Sequence, residues 1–244
     1  MSEKLNLIRD QDEFYLNKES DAFFDRWLNS PGSKFQGIIR PAKKEIYDHL
    51  GKVLNLDNKS VLEIGCFIGD LLNLLKTDHS CDVYGIESSG KACNFAKEKY
   101  SLNLEHSTFS KSSKFNLETS NKCKYDVIIC DDVLSWVQRE DIIPTLGVID
   151  WLLKPGGHLY FRDFSPSFGF AYQNHHWPKD EIYNFKQPGG HRQFFLLSGK
   201  YVELSTNLRI SDEYQLVKTK SPDSMIWSDT IMQKLDKFLH PVRQ

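Results

Sequence analysis

Long apolar runs are missing from this sequence. None approaches the roughly 20 apolar residues that cross a bilayer, and no apolar segment follows a basic start, so a cytoplasmic protein without a membrane partner is expected. Cysteine is scarce and without pattern. Cys66, Cys81, Cys93, Cys123 and Cys130 make an odd set of 5, several inside apolar strand or helix patterns, which argues for reduced core thiols over a disulfide framework. A dominant charge is also lacking. With 31 Lys and Arg against 33 Asp and Glu, a net charge of -2, no broad basic face for a nucleic-acid backbone is expected. Neither a Gly-x-x-x-x-Gly-Lys-Ser/Thr loop nor a His-Glu-x-x-His or paired Cys-x-x-Cys motif occurs, which removes the common phosphate-loop and zinc readings. His175 and His176 are neighbours in sequence, so they point in different directions and chelate poorly, and no metal is expected.

What is present begins with Val61-Leu62-Glu63-Ile64-Gly65-Cys66-Phe67-Ile68-Gly69-Asp70. Apolar residues before Gly65 fit a strand covered on both faces, and Leu71, Leu72, Leu74 and Leu75 supply the apolar stripe of a following helix. The glycine turn between them makes a ligand site. A dinucleotide fingerprint needs a glycine where Phe67 stands, so that backbone can press against a pyrophosphate. Glu63 is placed to face the ligand, and a carboxylate repels phosphate and attracts cations. Cys81 to Glu87 reads as the next parallel strand, closed by an acid 22 positions after Gly65 (87 minus 65). That is close to the roughly 20 expected when one carboxylate receives both ribose hydroxyls.

The alternation continues. Ser88 or Ser89 caps a helix bearing Ala92, Phe95, Ala96 and Tyr100, Leu102 to His106 is a weaker strand, and Tyr125 to Cys130 is the strand richest in β-branched residues. Ile142 to Leu153 forms a helix stopped at Lys154-Pro155-Gly156-Gly157, and His158 to Arg162 is the fifth strand. This βαβ rhythm predicts a doubly wound, mostly parallel α/β sheet. Glu63-x-Gly65-x-x-x-Gly69, the strand-ending Glu87, Asp131-Asp132-Val133-Leu134 after the fourth strand and Leu153-Lys154-Pro155-Gly156-Gly157 together resemble the class I S-adenosylmethionine-dependent methyltransferases of small-molecule type.

The resemblance implies a Rossmann-like seven-stranded sheet with an antiparallel C-terminal hairpin, and S-adenosyl-L-methionine as cofactor. It implies Glu63, Gly65, Cys66, Phe67, Gly69, Glu87, Ser88, Thr108, Phe109, Cys130 and Asp131 as the cofactor site, although Ser107-Thr108-Phe109 departs from the acid many relatives place beside the adenine. One domain of three parts is expected: a helical lid over 1–56, a cofactor core over 57–164 and a substrate side over 165–244. In the lid, residues 1–19 read as a loose tail, Ser20 caps a helix carrying Phe23, Phe24, Trp27 and Leu28, and a second helix starts at Pro41 with Ile46, Leu50, Val53 and Leu54 inward. The first helix either packs on the core or covers the cofactor.

For the acceptor, Tyr15, Arg40, Trp136 and Tyr172 are candidate substrate contacts. The stretch from Ser165 to Gly190 is rich in aromatics, histidine and proline and leaves the carboxyl end of a strand, where α/β proteins build pockets. His175, His176 and His191, then Asp131, are candidate bases, histidine titrating closest to neutrality. Phe194 to Leu197 and Lys200 to Leu204 read as a hairpin about Ser198-Gly199, Glu213 to Lys218 as a strand, and Ser228 as the cap of a closing helix with Ile231, Leu235, Phe238 and Leu239 inward. The expected reaction is methyl transfer to a hydroxyl or amine of a small molecule, such as a sugar or nucleotide-linked sugar. A non-catalytic module of the same fold is the alternative, and an NAD-dependent enzyme a weaker one.

Overall fold

Successive residues of a strand face opposite sides of a sheet, and in this chain both sides are apolar. The computed structural model describes residues 10–30, 39–110, 122–180, 182–210 and 226–236. Strands β1 (Ser60–Ile64), β2 (Asp82–Glu87), β3 (Glu105–His106), β4 (Tyr125–Asp131) and β5 (Leu153–Phe164) pair in parallel. β8 (Tyr201–Ile210) and β9 (Ile226–Lys234) close the sheet antiparallel, giving the order β3-β2-β1-β4-β5-β9-β8.

On one face Leu62, Ile128 and Leu159 meet Leu146, Ile149 and Leu152 of α6 (Ile142–Leu152). On the other Val61, Val127 and Tyr160 meet Ile46 and Leu50 of α3 (Pro41–Val53) and Leu71, Leu72 and Leu75 of α4 (Asp70–His79). Helices therefore cover both faces, as a doubly wound fold requires. α5 (Gly90–Tyr100), capped by the Ser89 hydroxyl on Ala92 N–H at 3.1 Å, follows β2. Strand order reverses between β1 and β4, and the carboxyl ends of such strands open the crevice where ligands bind.

Four expectations are corrected. The N-terminal helix does not start at Ser20: α1 (Gln11–Phe14), capped by Asp10, runs through a π turn (Tyr15–Glu19) into α2 (Ser20–Leu28), so residues 11–19 are helical and not loose. Leu153 opens β5 and does not end a helix, because Leu153 pairs with Tyr125. Residues 192–197 form helix α7 (Arg192–Leu197), and Ser198-Gly199, with Gly199 at φ 70°, ends that helix and does not turn a hairpin. The segment from Ser228 is no helix but the interior strand β9, whose polar residues are satisfied in the sheet: Asp229 on Arg162, Thr230 on Arg192, and Ser228 on the Asp163 carbonyl. The strand expected over Glu213 to Lys218 and the residues Phe238 and Leu239 lie outside the described residues. A short antiparallel pair, β6 (Phe170–Gln173) and β7 (Tyr183–Lys186), stands apart from the main sheet.

Candidate functional site

The turn after β1 is set by backbone sterics. Gly65 and Gly69 both take φ 70°, and a Cβ at Gly65 would come within 2.4 Å of Val133 Cγ2, so only glycine fits. Phe67 between them also lies in the left-handed region at φ 53°, at a cost of roughly 1–2 kcal/mol for a residue with a Cβ. Its ring is clamped by Phe23, Phe24 and Trp27 of α2 at centroid distances of 5.3, 5.9 and 5.2 Å, with the Arg40 guanidinium 4.9 Å from the ring centre. The packing of α2 thus holds a strained residue in place.

Glu87 ends β2 facing this turn. One carboxylate oxygen accepts the Phe67 N–H and the other the Ser89 N–H, each at 2.8 Å. Burial pushes its carboxyl up while those donors pull it down. Each oxygen retains a lone pair for a ligand hydroxyl. Helix α2 is fastened beside it: Ser20 Oγ lies 2.5 Å from Ser88 Oγ, and Asp21 accepts from the Ser89 hydroxyl at 2.7 Å and from Lys91 N–H at 3.1 Å. Thr108 is half-buried and Phe109 buried. The Cys66 and Cys130 side chains belong to the core, where burial pushes both thiols up.

Between β1 and β4 stands a residue the sequence reading passed over. Lys43 Nζ reaches from α3 to Glu63 Oε1 at 2.6 Å and Asp131 Oδ2 at 2.9 Å, with both Lys43 and Glu63 buried. Burial pushes Glu63 up to about 7 despite Lys43. Burial acts the same way on Asp131, but Lys43 and then Arg162 more than offset it and hold Asp131 low. Arg40 is no free cleft residue: it clasps Asp70 through Nε at 2.8 Å and Nη2 at 2.7 Å. Glu63 Oε1 is taken by Lys43, and Oε2 has no hydrogen-bond partner among the described residues. The sole sequence signal for Lys43 was its place on the buried stripe of Ile46 and Leu50.

A second polar cluster lies past the ends of β4 and β5. The Ser135 hydroxyl donates to Asp132 at 2.9 Å, leaving its lone pairs to accept Lys186 Nζ and Asn184 Nδ2, each at 3.3 Å. That chain of donors fixes the Asn184 amide with Oδ1 turned away, buried and without a partner among the described residues. Lys186 is fully buried, 3.4 Å from the Phe164 ring centre, and burial pulls its ammonium down. Asp163 Oδ2 accepts both the backbone N–H (2.9 Å) and the Nδ1–H of buried His191, while its Oδ1 is also unpartnered among the described residues. Burial would raise Asp163; His191 outweighs it, so the carboxylate stays ionised and fixes hydrogen on Nδ1. In the neutral ring with hydrogen on Nδ1, Nε2 is an acceptor.

The other candidates are placed differently. His175 and His176 are exposed, their rings 3.9 Å apart on the turn after β6. Trp136 ends a 3₁₀ turn (Leu134–Trp136) and meets Tyr15 edge-on at 5.9 Å, where burial pushes the Tyr15 phenol up. Tyr172 pairs with Asn184 across β6 and β7, its side chain lying outside the described part of the structure. Among the described residues no group of three or more His, Cys, Asp or Glu could hold a metal ion, and no helix is long and apolar enough to cross a membrane.

The glycine turn, the strand-ending Glu87 and the bare oxygen of Glu63 fit a nucleoside bearing a positive charge. Comparison with known proteins points the same way. The chain is 29% identical over 159 residues to a tRNA N(3)-methylcytidine methyltransferase of Schizosaccharomyces pombe, covering 63% of this chain and 58% of that protein. It is 30% identical over 138 residues to a ubiquinone biosynthesis O-methyltransferase of Nitrosospira multiformis, covering 56% and 55%, so it spans little more than half the length of either relative. A solved N-methyltransferase from Bradyrhizobium japonicum in complex with S-adenosyl-L-homocysteine shares the fold at a TM-score of 0.57 and 16% identity, over 88% of this chain and 98% of that one. The methyltransferase domain model matches residues 36–199, a span that holds the glycine turn, Glu87 and the His191–Asp163 pair, and the chain belongs to that methyltransferase-domain family, with the fold of S-adenosylmethionine-dependent methyltransferases.

Proposed function

We propose that this chain transfers the methyl group of S-adenosylmethionine to a hydroxyl or amine of a small molecule, with His191 as the base and Asp163 as its orienting partner. The observation that carries this reading is the buried His191–Asp163 pair with the bare Oδ1 of Asp163, within electrostatic reach of Lys186, which shares Ser135 with Asn184. The cofactor supplies an electrophilic methyl on a sulfonium. The protein must hold the acceptor in line with it, remove one proton and keep water out.

Asn184 Oδ1 and Asp163 Oδ1 are acceptors only, so they favour a ligand that brings N–H or O–H donors. His191 Nε2 is set to take the proton, and a placed base of this kind contributes about 10²- to 10⁴-fold. The cluster sets two carboxylates, Asp132 and Asp163, near the single ammonium of Lys186, with Asp163 also paired to His191, which disfavours a phosphate at the point of transfer. With the net charge of -2, this supports a neutral or cationic acceptor, a sugar or the sugar part of a nucleotide-linked sugar being the first class to try. Helices α1 and α2 act as a lid, with Phe23 and Phe24 on the cofactor turn and Tyr15 toward the acceptor.

The test is S-adenosylhomocysteine production by wild type, His191→Asn, Asp163→Asn, Asp131→Asn, His175→Ala and His176→Ala from pH 5 to 9 with sugar, nucleotide-sugar and amine acceptors, cofactor affinity being measured separately. Loss of rate and of the acidic limb in His191→Asn with cofactor affinity kept is expected. Wild-type rate and titration in that variant would overturn His191 as base. Cofactor binding without turnover on any acceptor would favour a non-catalytic module of the same fold.

A further inference from the structure

The crevice between β1 and β4 and the Arg162 pair beside it hold four carboxylates, Glu63, Asp70, Asp131 and Asp229, and three cations, Lys43, Arg40 and Arg162, leaving aside the exposed Glu45. With Glu63 ionised, the sum is one negative charge. S-adenosylmethionine carries one net positive charge, through its sulfonium, and S-adenosylhomocysteine carries none. The two differ in little else. Lys43 is the buried member that decides this balance: without it Glu63 would lie unneutralised, and Asp131 on the adjacent strand would keep only Arg162, 3.8 Å away and shared with Asp229, at the carboxyl ends where the ligand binds.

We infer that Lys43 is a positioning residue that sets how strongly the site prefers the sulfonium cofactor over its neutral product. The inference rests on the methyl-donor reading above. Its physical basis is that carboxylates deprived of Lys43 would hold a cation much more tightly than a thioether in a low-dielectric site. Such a preference works against turnover. Methyl transfer disperses the sulfonium charge, so carboxylates that stabilise the full charge lower the bound ground state more than the transition state. By pairing both carboxylates from within the fold, Lys43 limits that loss and keeps their geometry. Burial opposes its charge, yet Asp131 and Glu63 hold its ammonium above the usual lysine range, so it stays charged while serving them. Arg40 cannot substitute, because its fork is committed to Asp70.

The ratio of the dissociation constants for the two ligands is the readout, since loosening of α3 weakens both alike while a change of charge does not. Titration calorimetry on the full chain would compare wild type, Lys43→Met, Lys43→Arg, Glu63→Gln and the double variant Lys43→Met/Glu63→Gln, with melting temperatures as a folding check. Lys43→Met should shift the ratio toward S-adenosylmethionine by roughly tenfold, as removal of a unit charge in a poorly screened site predicts. Glu63→Gln should shift it the opposite way, Lys43→Arg should stay near wild type, and the double variant should return toward wild type. Equal ratios in Lys43→Met, Glu63→Gln and wild type, or shifts of the same sign, would overturn the inference and leave Lys43 a structural pin. If Lys43→Met does not fold, Glu63→Gln and the double variant decide by the same signs. A wild-type protein that binds neither ligand would instead overturn the methyl-donor reading.

Discussion

Around Glu87 both carboxylate oxygens are held by backbone N–H groups and the chain path is set by Gly65 and Gly69, whereas around Asp163 and Asn184 buried acceptor oxygens stay bare among the described residues. The first region is built chiefly from backbone between Gly65 and Ser89, with α2 packed on Phe67, and it is formed before any ligand arrives. The second is assembled from side chains of the β4 loop, the end of β5, β7 and the turn before α7, and it withholds hydrogen bonds that folding would otherwise gain. A bare buried acceptor costs about 1–3 kcal/mol, which the apolar layers on both sheet faces must offset. Stability and affinity should therefore move together in the first region and apart in the second.

Gly65→Val tests the first half of that statement most severely. Left-handed strain and the clash with Val133 should cost about 2–4 kcal/mol of stability and abolish cofactor binding. Unchanged binding by calorimetry would break the assignment. Glu87→Ala comes next. Losing a charged hydrogen-bonding group should weaken cofactor binding by about 1.5–3 kcal/mol and lower the melting temperature as well, because the Phe67 and Ser89 N–H groups lose their acceptor. Asn184→Leu probes the other region. Turnover should fall about tenfold for one lost hydrogen bond to the acceptor, while the melting temperature stays or rises and the affinity for S-adenosylhomocysteine is unaltered. A large drop in melting temperature with turnover intact would erase the contrast between the regions.

The smallest effect is expected far from both, at the amino ends of the strands. Burial would raise the Asp126 carboxyl, but the Ser60 hydroxyl and Lys154 more than compensate and hold it at about 2, against an ordinary 3.8. A depressed carboxyl contributes stability that is complete above the ordinary value and lost as pH falls toward 2. Asp126→Asn should therefore cost below about 1 kcal/mol at pH 7, the partners being partly exposed, and should flatten the decline in melting temperature between pH 4 and pH 2.

Legibility followed the same division. The strand, turn and helix from Ser60 to His79, the acid ending β2 and the strands β4 and β5 declare themselves because apolar period, glycine and strand-ending acid all lie within a few residues of each other. Lys43, Asp163, Asn184 and Lys186 do not, since each gains its role only from a residue at least 20 positions away: Glu63, His191, Ser135 and Ser135. β9 misled for a related reason. Its Ser228, Asp229 and Thr230 look like a helix cap and first turn, and only their partners on β5 and in α7 explain polar residues in a buried strand. Ser198-Gly199 is a turn in either reading; helix α7 before it became visible only through Phe195, packed 5.4 Å from Phe161 and 5.0 Å from Tyr201.

The π turn at Tyr15–Glu19 gives the N-terminal segment an unusual kind of fragility. Ahead of it, Gln11 ties to the Trp136 carbonyl and the Tyr183 N–H, each at 2.8 Å; behind it, Ser20, Asp21 and Phe24 tie to Ser88, Ser89 and Phe67. The widened turn holds one residue more than an α-helical turn would, and each α-helical residue is worth about 100° of rotation. Loss of a single codon in this stretch would rewind the helix and turn one set of contacts about a quarter of a circle from its partners, whereas a substitution removes one contact at a time. Among descendants of this gene, the spacing between Gln11 and Phe24 should vary less than the residues that fill it.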